Sequence, residues 1–278
     1  MSDFRLKVFQ SVAKNLSFTK ASQELFVSQP AITKHIQELE TYYQVRLFER
    51  QGSKISLTVA GELLLKHSEK ILEDYKRLEY EMHLLHNEYI GELRLGASTT
   101  IAQYVLPPLL GNFIAKFPQV NLSLINGNSR GVETALQEHR IDLGLVEGIF
   151  RLPNLKYTSF LQDELVAVVH AHTKLDIQDE ITPEDLPNIP LVLRERGSGT
   201  LDVFERALSQ HNLKLSSLNV MMYLGSTESI KLFLEHTDCM GIVSIRSVHK
   251  ELVAGNLRVI EIKGMPMQRE FNFVQLQG

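Results

Sequence analysis

The chain of 278 residues contains one cysteine, Cys239, and no tryptophan. A single cysteine excludes an internal disulfide and fits a reducing compartment. No apolar run is long enough to span a bilayer, and the first residues lack the basic start and unbroken apolar core of a signal peptide. We therefore expect a cytoplasmic protein that does not bind membranes.

The formal net charge of −4 is unevenly distributed. Residues 1–57 carry eight Lys or Arg and five Asp or Glu, so this part is basic while the remainder is acidic. A nucleic-acid-binding protein needs only a local basic surface. The charge pattern modestly favours DNA binding at the N-terminal end.

Two short amphipathic segments within residues 17–37 have the pattern of a helix-turn-helix. Ser17 and Ser28 are suitable N-caps, and Pro30 falls in the first turn of the second helix, where its missing N–H does no harm. A helix with small and hydrogen-bonding side chains at its N-terminal end can enter the major groove. The expected DNA-binding residues of this motif are Thr19, Ser28, Gln29, Pro30, Ala31, Thr33 and Lys34. On the local pattern alone, these two segments could equally form the corner of a small helical domain that does not bind DNA.

A short hairpin follows the motif. Residues 51–54 read as a turn, and 55–57 alternate apolar and polar like a strand. Such a hairpin would form a wing, with Arg50 and Lys54 near its tip binding the phosphate backbone of DNA.

A long helix is expected next, capped by Thr58. Apolar positions recur after alternating gaps of four and three, interrupted by Ser68, which is the pattern of a coiled-coil seam. The seam consists of Leu64, Ser68, Ile71, Tyr75, Leu78, Met82, Leu85 and Tyr89. The alternative is a helix packed on its own domain, but its length favours pairing with the same helix of a second chain. A homodimer would present two recognition helices to two half-sites.

After Gly91 strands and helices alternate, which predicts a parallel, doubly wound sheet. Strands are expected at 92–96, 120–125, 141–146, 165–169, 191–193, 220–224, 241–244 and 271–276, and helices at 101–117 (broken at Pro107-Pro108), 132–139, 201–211 and 229–235. The pattern suggests two similar α/β lobes, with the last strand returning to the first lobe. A cleft between two lobes is a common small-molecule site.

Three Ser/Thr-rich segments stand between a strand and a helix, which is an arrangement suited to anions. The predicted effector-binding residues are Ser98, Thr99, Thr100, Asn126, Asn128, Glu147, Arg194, Gly197, Ser198, Gly199, Thr200 and Ser226. Individually, Ser and Thr before a helix are more often plain caps. Three such segments at equivalent strand ends favour a small anionic effector.

The chain resembles the LysR-type transcriptional regulators over essentially its whole length. The motif positions are Phe9, Ala13, Ser17-Phe18-Thr19, Ala21, Leu25, Ser28-Gln29-Pro30-Ala31, Leu39-Glu40, Leu47-Phe48-Glu49-Arg50 and Leu57-Thr58-Val59-Ala60-Gly61. Two departures are Tyr43-Gln44, where the family usually has Leu-Gly, and Ser22, where a second alanine is common. The family also usually carries a further helix after the strand at 271–276, which leaves the C-terminal lobe boundary open.

The resemblance implies an α/β protein with a winged helix-turn-helix at 1–57, a coiled-coil linker and dimerisation helix at 58–89, and a two-lobed effector-binding domain at 90–278, similar to periplasmic binding proteins. Lobe I would comprise about 90–161 and 267–278, and lobe II about 162–266. Implied partners are double-stranded promoter DNA, an effector between the lobes, RNA polymerase, and further copies in dimers and tetramers. Effector binding would change lobe closure and the spacing of the paired DNA-binding domains.

The segment 194–200 looks like the corresponding loop of family members that control sulfur assimilation or carbon fixation. The resemblance therefore suggests an inorganic sulfur-type anion, or a phosphorylated or carboxylated metabolite. Operator sequence, regulated genes and the choice between activation and repression stay open.

Other functions are less well supported. Gly197-Ser198-Gly199 lacks the spacing of a nucleophile elbow, so we expect no enzyme. His83 and His86 have no companion ligands, so neither a metal nor a cofactor is expected. Cys239 is more typical of a buried thiol than of a sensor. The alternative function is a cytoplasmic solute-binding protein without regulatory DNA binding, which the N-terminal motif opposes.

Overall fold

The computed structural model describes residues 4–51, 54–86 and 89–277, without the side chains of Arg50, Gln51 and Lys54. The chain forms two compact units, Met1–Ile90 and Gly91–Gly278. Among the described residues, no helix combines the length and apolar composition that a membrane span requires.

The first unit is a winged helix-turn-helix. Its elements are α1 (Phe4–Asn15), α2 (Phe18–Glu24), α3 (Gln29–Tyr43), β1 (Phe48–Gln51), β2 (Lys54–Leu57) and α4 (Val59–Leu84). The expected caps are present: Ser17 Oγ accepts from the Lys20 N–H at 3.2 Å, and Ser28 Oγ accepts from the Ala31 N–H at 3.4 Å. Thr58 Oγ1 likewise accepts from the Gly61 N–H at 3.0 Å. These bonds satisfy backbone donors that the first turn of a helix leaves free.

One apolar core holds the three helices and the wing together. It contains Phe9, Ala21, Ile32, Ile36, Leu39, Leu47 and Phe48. Gln44 occupies the left-handed cap of α3 with φ 56° and ψ 33°. The turn therefore has the usual left-handed conformation although the usual glycine is absent. A residue with a side chain adopts this conformation at a higher energy than glycine does.

Helix α4 has 26 residues, which corresponds to a length of about 39 Å. Leu72 is buried in the first unit's core, and Leu64 and Leu65 pack against that core. Farther along, the seam residues Leu78 and Met82 are each 53% exposed. The helix ends at Leu84, before the predicted end at residue 89, in a turn where the His86 N–H bonds to the His83 carbonyl.

The second unit begins with a lobe of α/β structure. Its elements are β3 (Gly91–Ser98), α5 (Thr99–Tyr104), α6 (Leu106–Lys116), β4 (Val120–Gly127), α7 (Ser129–Gln137) and β5 (Leu143–Glu147). The predicted helix at 101–117 is interrupted at Val105, and Pro107 falls in the first turn of α6, where proline needs no N–H partner.

The long strand β6 (Leu155–His170) leads into a second lobe. Its elements are β7 (Glu180–Ile181), β8 (Leu191–Arg194), α8 (Gly199–Gln210), β9 (Val220–Leu224), α9 (Thr227–Leu234), β10 (Met240–Ser244), α10 (Ile245–Ala254) and β11 (Leu257–Ile262), with short 3-10 helices at Pro183–Asn188 and Leu215–Ser217. The final strand, β12 (Gln268–Leu276), pairs with β5 and β6 of the first lobe, as the sequence indicated.

The sheet is mixed rather than parallel throughout. Its strand order is β4-β3-β5-β12-β6-β10-β8-β9, with β11 also paired to β6. The trios β4-β3-β5 and β10-β8-β9 are parallel, as expected, whereas β6 and β12 run antiparallel to their neighbours. Both antiparallel strands lie where the chain crosses between the lobes, so the predicted all-parallel sheet is wrong at its centre. Helix α10 and strands β7 and β11 were not predicted.

Candidate nucleic-acid interface and effector site

The N-terminal end of α3 presents the predicted groove-reading side chains to solvent. Gln29, Pro30 and Lys34 are exposed, while Ala31 and Thr33 are half-buried above the core residue Ile32. The Thr33 hydroxyl donates to the Gln29 carbonyl at 3.1 Å, so its hydrogen is already used, while its oxygen can still accept and its methyl is unbonded. Polar side chains exposed at the N-terminal end of a helix can pair with the donors and acceptors of base edges.

Two neighbouring segments complete this surface. Thr19 in α2 and Ser28 before α3 are both exposed. The wing strands pair in register, with Arg50 opposite Ile55 and Gln51 opposite Lys54. The side chains of Arg50 and Lys54, predicted to grip phosphate, lie outside the described part of the structure.

Two of the predicted effector residues, Ser98 and Thr100, contact the carboxylate of a third, Glu147. Glu147 ends β5 and Ser98 ends the neighbouring parallel strand β3, so both lie at the carboxyl edge of the first lobe. Ser98 Oγ donates a hydrogen bond to Glu147 Oε2, and Thr100 Oγ1 lies 3.5 Å from Oε1. Glu147 is only 3% exposed.

Arg269, which the sequence analysis did not single out, joins this group from β12. Its Nη1 lies 3.7 Å from Glu147 Oε1 and donates to Thr200 Oγ1 of α8 at 2.9 Å. Its Nε donates to Asp163 Oδ2 of β6 at 2.7 Å. We call Ser98, Thr100, Glu147, Thr200 and Arg269 the inter-lobe cluster, since its members come from both lobes and from a connecting strand.

Arg194, at the end of β8, lies beside this cluster, next to Thr99 of the first lobe, and is 1% exposed. Its Nε donates to Glu195 Oε2 at 2.8 Å, and its Nη2 lies 3.3 Å from both Thr99 Oγ1 and the Gly225 carbonyl oxygen. The bond to Thr99 joins the two lobes.

Two guanidinium nitrogens in this region are buried without a hydrogen-bond partner among the described residues: Arg194 Nη1 and Arg269 Nη2. A buried donor left unpaired is costly, and the cost is larger when the group is charged. An oxyanion that accepts from these nitrogens would remove that cost, because guanidinium and oxyanion form strong charge-assisted bonds.

Several other predicted residues act as helix caps. Ser198 Oγ accepts from the Thr200 N–H, Ser226 Oγ accepts from the Ser229 N–H, and Asn128 Oδ1 accepts from the Gly131 N–H. Asn128 also donates to Glu195 Oε1 at 3.2 Å, which links the lobes a second time. Asn126 is exposed on the edge strand β4, apart from these contacts.

Two glycines allow the lobes to approach closely. Gly197 has a φ of 87°, in the region that favours glycine, and its carbonyl accepts from the Arg130 N–H of the other lobe at 3.3 Å. A Cβ on Gly199, the first residue of α8, would overlap the Glu147 carbonyl oxygen. The predicted loop 197–200 therefore packs directly against the end of β5.

Carboxylates near the site have shifted pKa values. Burial alone would raise the pKa of Glu195, but its bonds to Arg194 and its attraction to that guanidinium hold it below the usual value. In the first turn of α8, burial raises the pKa of Asp202 to about 6, with a further contribution from the charge of Glu205.

A cavity of about 340 Å³ lies elsewhere in the second lobe. It is lined by residues 164–167, 259–262 and 264–267, and none of the predicted effector residues borders it. Within the described residues, no three His, Cys, Asp or Glu side chains are arranged to hold a metal ion.

Sequence reasoning missed four contributors to the cleft: Asp163, Arg269, Ser129 and Ser244. Ser129 Oγ donates to the Glu147 carbonyl at 2.6 Å, and Ser244 Oγ donates to Asp163 Oδ1 at 2.8 Å. The available signal was a charged residue in each crossing strand, Asp163 in β6 and Arg269 in β12. A charge in a buried strand requires a partner.

A winged helix-turn-helix followed by a two-lobed α/β unit with a polar inter-lobe site defines a DNA-binding regulator with an effector-binding domain. Comparison with known protein families supports this assignment. Residues 4–62 match the model "Bacterial regulatory helix-turn-helix protein, lysR family", and residues 86–278 match "LysR substrate binding domain". The chain belongs to the LysR family of transcriptional regulators, which confirms the expected fold class and the DNA-binding function.

Individual relatives match between 68% and 100% of the chain. The activator CmpR of Synechocystis is 32% identical over 97% of this chain and 88% of its own, and the regulator CysL of Bacillus subtilis is 29% identical over 97% and 89%. The solved regulatory domain of Synechocystis CcmR in complex with 2-PG is 28% identical, with a TM-score of 0.60 over 68% of this chain and 88% of that one. Full-length CbnR in complex with its target DNA shares the fold, with 23% identity and a TM-score of 0.65 over 100% and 94%.

Proposed function

We propose that this regulator reads promoter DNA with the exposed N-terminal end of α3 and changes its DNA binding when a small anion occupies the cleft beside Arg194 and the inter-lobe cluster. Gln29, Pro30, Ala31, Thr33 and Lys34 would face the major groove, with Thr19 and Ser28 at its edge and Arg50 and Lys54 on phosphate. The single observation that carries the effector proposal is the pair of buried, unpartnered guanidinium nitrogens.

The anion would act through the bonds that already connect the lobes. Arg194 and Arg269 each contact a hydroxyl of the opposite side, Thr99 and Thr200 respectively. An anion that accepts from both guanidinium groups would favour one degree of lobe closure over another, and only such differential affinity can shift an equilibrium between two states. The complex of CcmR with 2-PG, a relative at 28% identity, supports a ligand in this domain.

We further propose the domain limits 1–57, 58–89 and 90–278, with lobe I at about 90–161 plus 267–278 and lobe II at about 162–266. The exposed seam residues of α4, Leu78 and Met82, support dimerisation through that helix. Assembly of dimers into tetramers, contact with RNA polymerase, a cytoplasmic location and the lack of enzymatic activity are part of the same proposal.

The test is a thermal-shift screen of the full chain with sulfate, sulfite, thiosulfate, phosphate and phosphorylated or carboxylated metabolites. A ligand that binds only the folded state raises the Tm as its concentration exceeds its Kd. Arg194→Met should abolish the rise, whereas Arg140→Met, which removes an exposed guanidinium paired with Glu138, should retain it. If no anion raises the Tm of the wild-type chain, the effector proposal fails, while membership of the family is unaffected.

A further inference from the structure

The centre of the cleft holds a carboxylate where an anion is expected to bind. Glu147 is 3% exposed and receives hydrogen bonds from Ser98 and Thr100, the same hydroxyls that an oxyanion could use. An ionised carboxylate accepts hydrogen bonds and donates none. Glu147 therefore cannot bond to an oxyanion that lacks a hydrogen of its own.

The charges around the cleft also disfavour an oxyanion that lacks a hydrogen. Arg269 is shared between two carboxylates, since its guanidinium lies 3.7 Å from Glu147 and 2.7 Å from Asp163. Arg194 is paired with Glu195 at 2.8 Å. These two guanidinium groups thus face three carboxylates. The charge of Glu147 also acts on a fourth carboxylate, Asp202 of α8, and raises its pKa. A fully deprotonated anion beside Glu147 would meet a like charge with little water to screen it.

The unpartnered nitrogens nevertheless call for an acceptor. Arg269 Nη2 belongs to the guanidinium whose Nη1 faces Glu147 Oε1. One ligand can satisfy both requirements if an oxygen of the ligand accepts from Nη2 while a hydroxyl or an acidic O–H of the same ligand donates to Glu147. The proton then lies between two oxygens and removes the like-charge repulsion.

We propose that Glu147 makes the effector site selective for oxyanions that carry a hydrogen-bond donor, such as hydrogen phosphate or hydrogen sulfite, and that it rejects fully deprotonated anions such as sulfate. This inference rests on the proposed anion site and specifies its ligand class. Sites built to hydrogen-bond a ligand O–H discriminate strongly against analogues without it, because the buried polar group is then left unpaired.

Inorganic phosphate and sulfate are the sharpest pair of probes, since both are tetrahedral and only phosphate keeps a proton at neutral pH. Isothermal titration of the full chain with phosphate, sulfite, sulfate and thiosulfate should show phosphate or sulfite binding more tightly than sulfate by about tenfold or more. Glu147→Gln retains the size of the side chain, removes its charge and adds an N–H donor, so it should tighten sulfate binding and remove most of the preference.

Asp202→Asn is the matched control, because it removes a neighbouring carboxylate charge that the inter-lobe cluster does not contact. It should leave the ratio of phosphate to sulfate affinity within about threefold, far below the change that loss of a ligand hydrogen bond produces. An equal change of that ratio in both variants would mean that general charge, not the bond to Glu147, sets the preference, and would overturn the inference.

The wild-type ranking decides the question even if Glu147→Gln fails to fold. Tightest binding of sulfate or thiosulfate would overturn the selectivity of Glu147 and leave the anion site standing. Failure of every anion to bind the wild-type chain would overturn the proposed effector class and this inference together.

Discussion

The Asp163 carboxylate accepts a hydrogen bond from Arg269 Nε at 2.7 Å, and both side chains are buried where β6 and β12 cross between the lobes. Asp163 also accepts from Ser244 Oγ of the second lobe at 2.8 Å. This pair therefore fixes the guanidinium that faces Glu147 and Thr200.

Removing the charge of Asp163 should destabilise the chain substantially. Asp163→Asn leaves the Arg269 guanidinium buried with a weaker partner, and breaking a buried pair in this way costs about 3 kcal/mol or more. Urea unfolding followed by circular dichroism measures the change. Asp179→Asn, which breaks the exposed contact with Arg258, is the control and should cost under about 1 kcal/mol. Equal losses in the two variants would contradict the role given to Asp163.

Gly199 should not tolerate a side chain. In Gly199→Ala the added Cβ overlaps the Glu147 carbonyl oxygen, so α8 must move away from the end of β5 at a cost of about 1–3 kcal/mol. Thermal unfolding and anion titration should both be impaired. Gly111→Ala in α6 meets no atom within 4 Å and should be neutral or stabilising by about 1 kcal/mol. An unchanged Tm and unchanged anion affinity in Gly199→Ala would show that the loop 197–200 does not pack as described.

The raised pKa of Asp202 has a defined effect on stability. Because its folded-state pKa of about 6 exceeds the ordinary aspartate value of 3.8, the folded chain binds the proton more tightly than the unfolded chain does. This contribution to stability is present at low pH and is lost as the pH rises from about 4 to 6.

Asp202→Asn should accordingly raise the free energy of unfolding at pH 7.5. The expected gain is on the order of 1 kcal/mol after discounting for the partial solvent exposure of this side chain, and it should vanish near pH 4. Urea unfolding at a series of pH values provides the measurement. A gain that is the same at both ends of this range would show that ionisation of Asp202 is not its cause.

The DNA interface predicts different effects for two residues of α3. Gln29→Ala should cost about 1–3 kcal/mol on the preferred sequence and relax the choice of base at one position. Lys34→Ala removes a cation from the helix that faces the groove, so it should weaken binding to all sequences and make the affinity less dependent on salt. Fluorescence anisotropy with DNA selected from a random pool distinguishes these outcomes.

Lys116→Ala, in α6 of the effector-binding unit, removes one cation outside the DNA-binding unit and controls for net charge. Its effect on DNA affinity should be small. If Gln29→Ala and Lys34→Ala bind the selected DNA as well as the wild-type chain does, α3 does not read the groove with this end.

The features that could be predicted from the sequence depend on local chemistry. Ser17 and Ser28 cap helices because their hydroxyls need only a backbone N–H three residues away. Glu147 and Ser98 were expected near one another because each ends a strand of the same parallel sheet.

The missing features depend on long-range pairing. Asp163 and Arg269 are separated by 106 positions and meet only because β6 and β12 pair antiparallel. No local periodicity specifies that register, so neither the mixed sheet nor the guanidinium opposite Glu147 could be read from the sequence. The same limitation applies to the pairing of β11 with β6.

The central claim is that an anion in the inter-lobe cleft alters DNA binding. The most direct measurement is a DNase footprint of the full chain on DNA selected from a random pool, with and without a saturating concentration of the anion that raises the Tm most. We predict that the anion changes the length or pattern of the wild-type footprint and leaves that of Arg194→Met unchanged. A wild-type footprint and DNA affinity that stay the same at saturation would contradict the account.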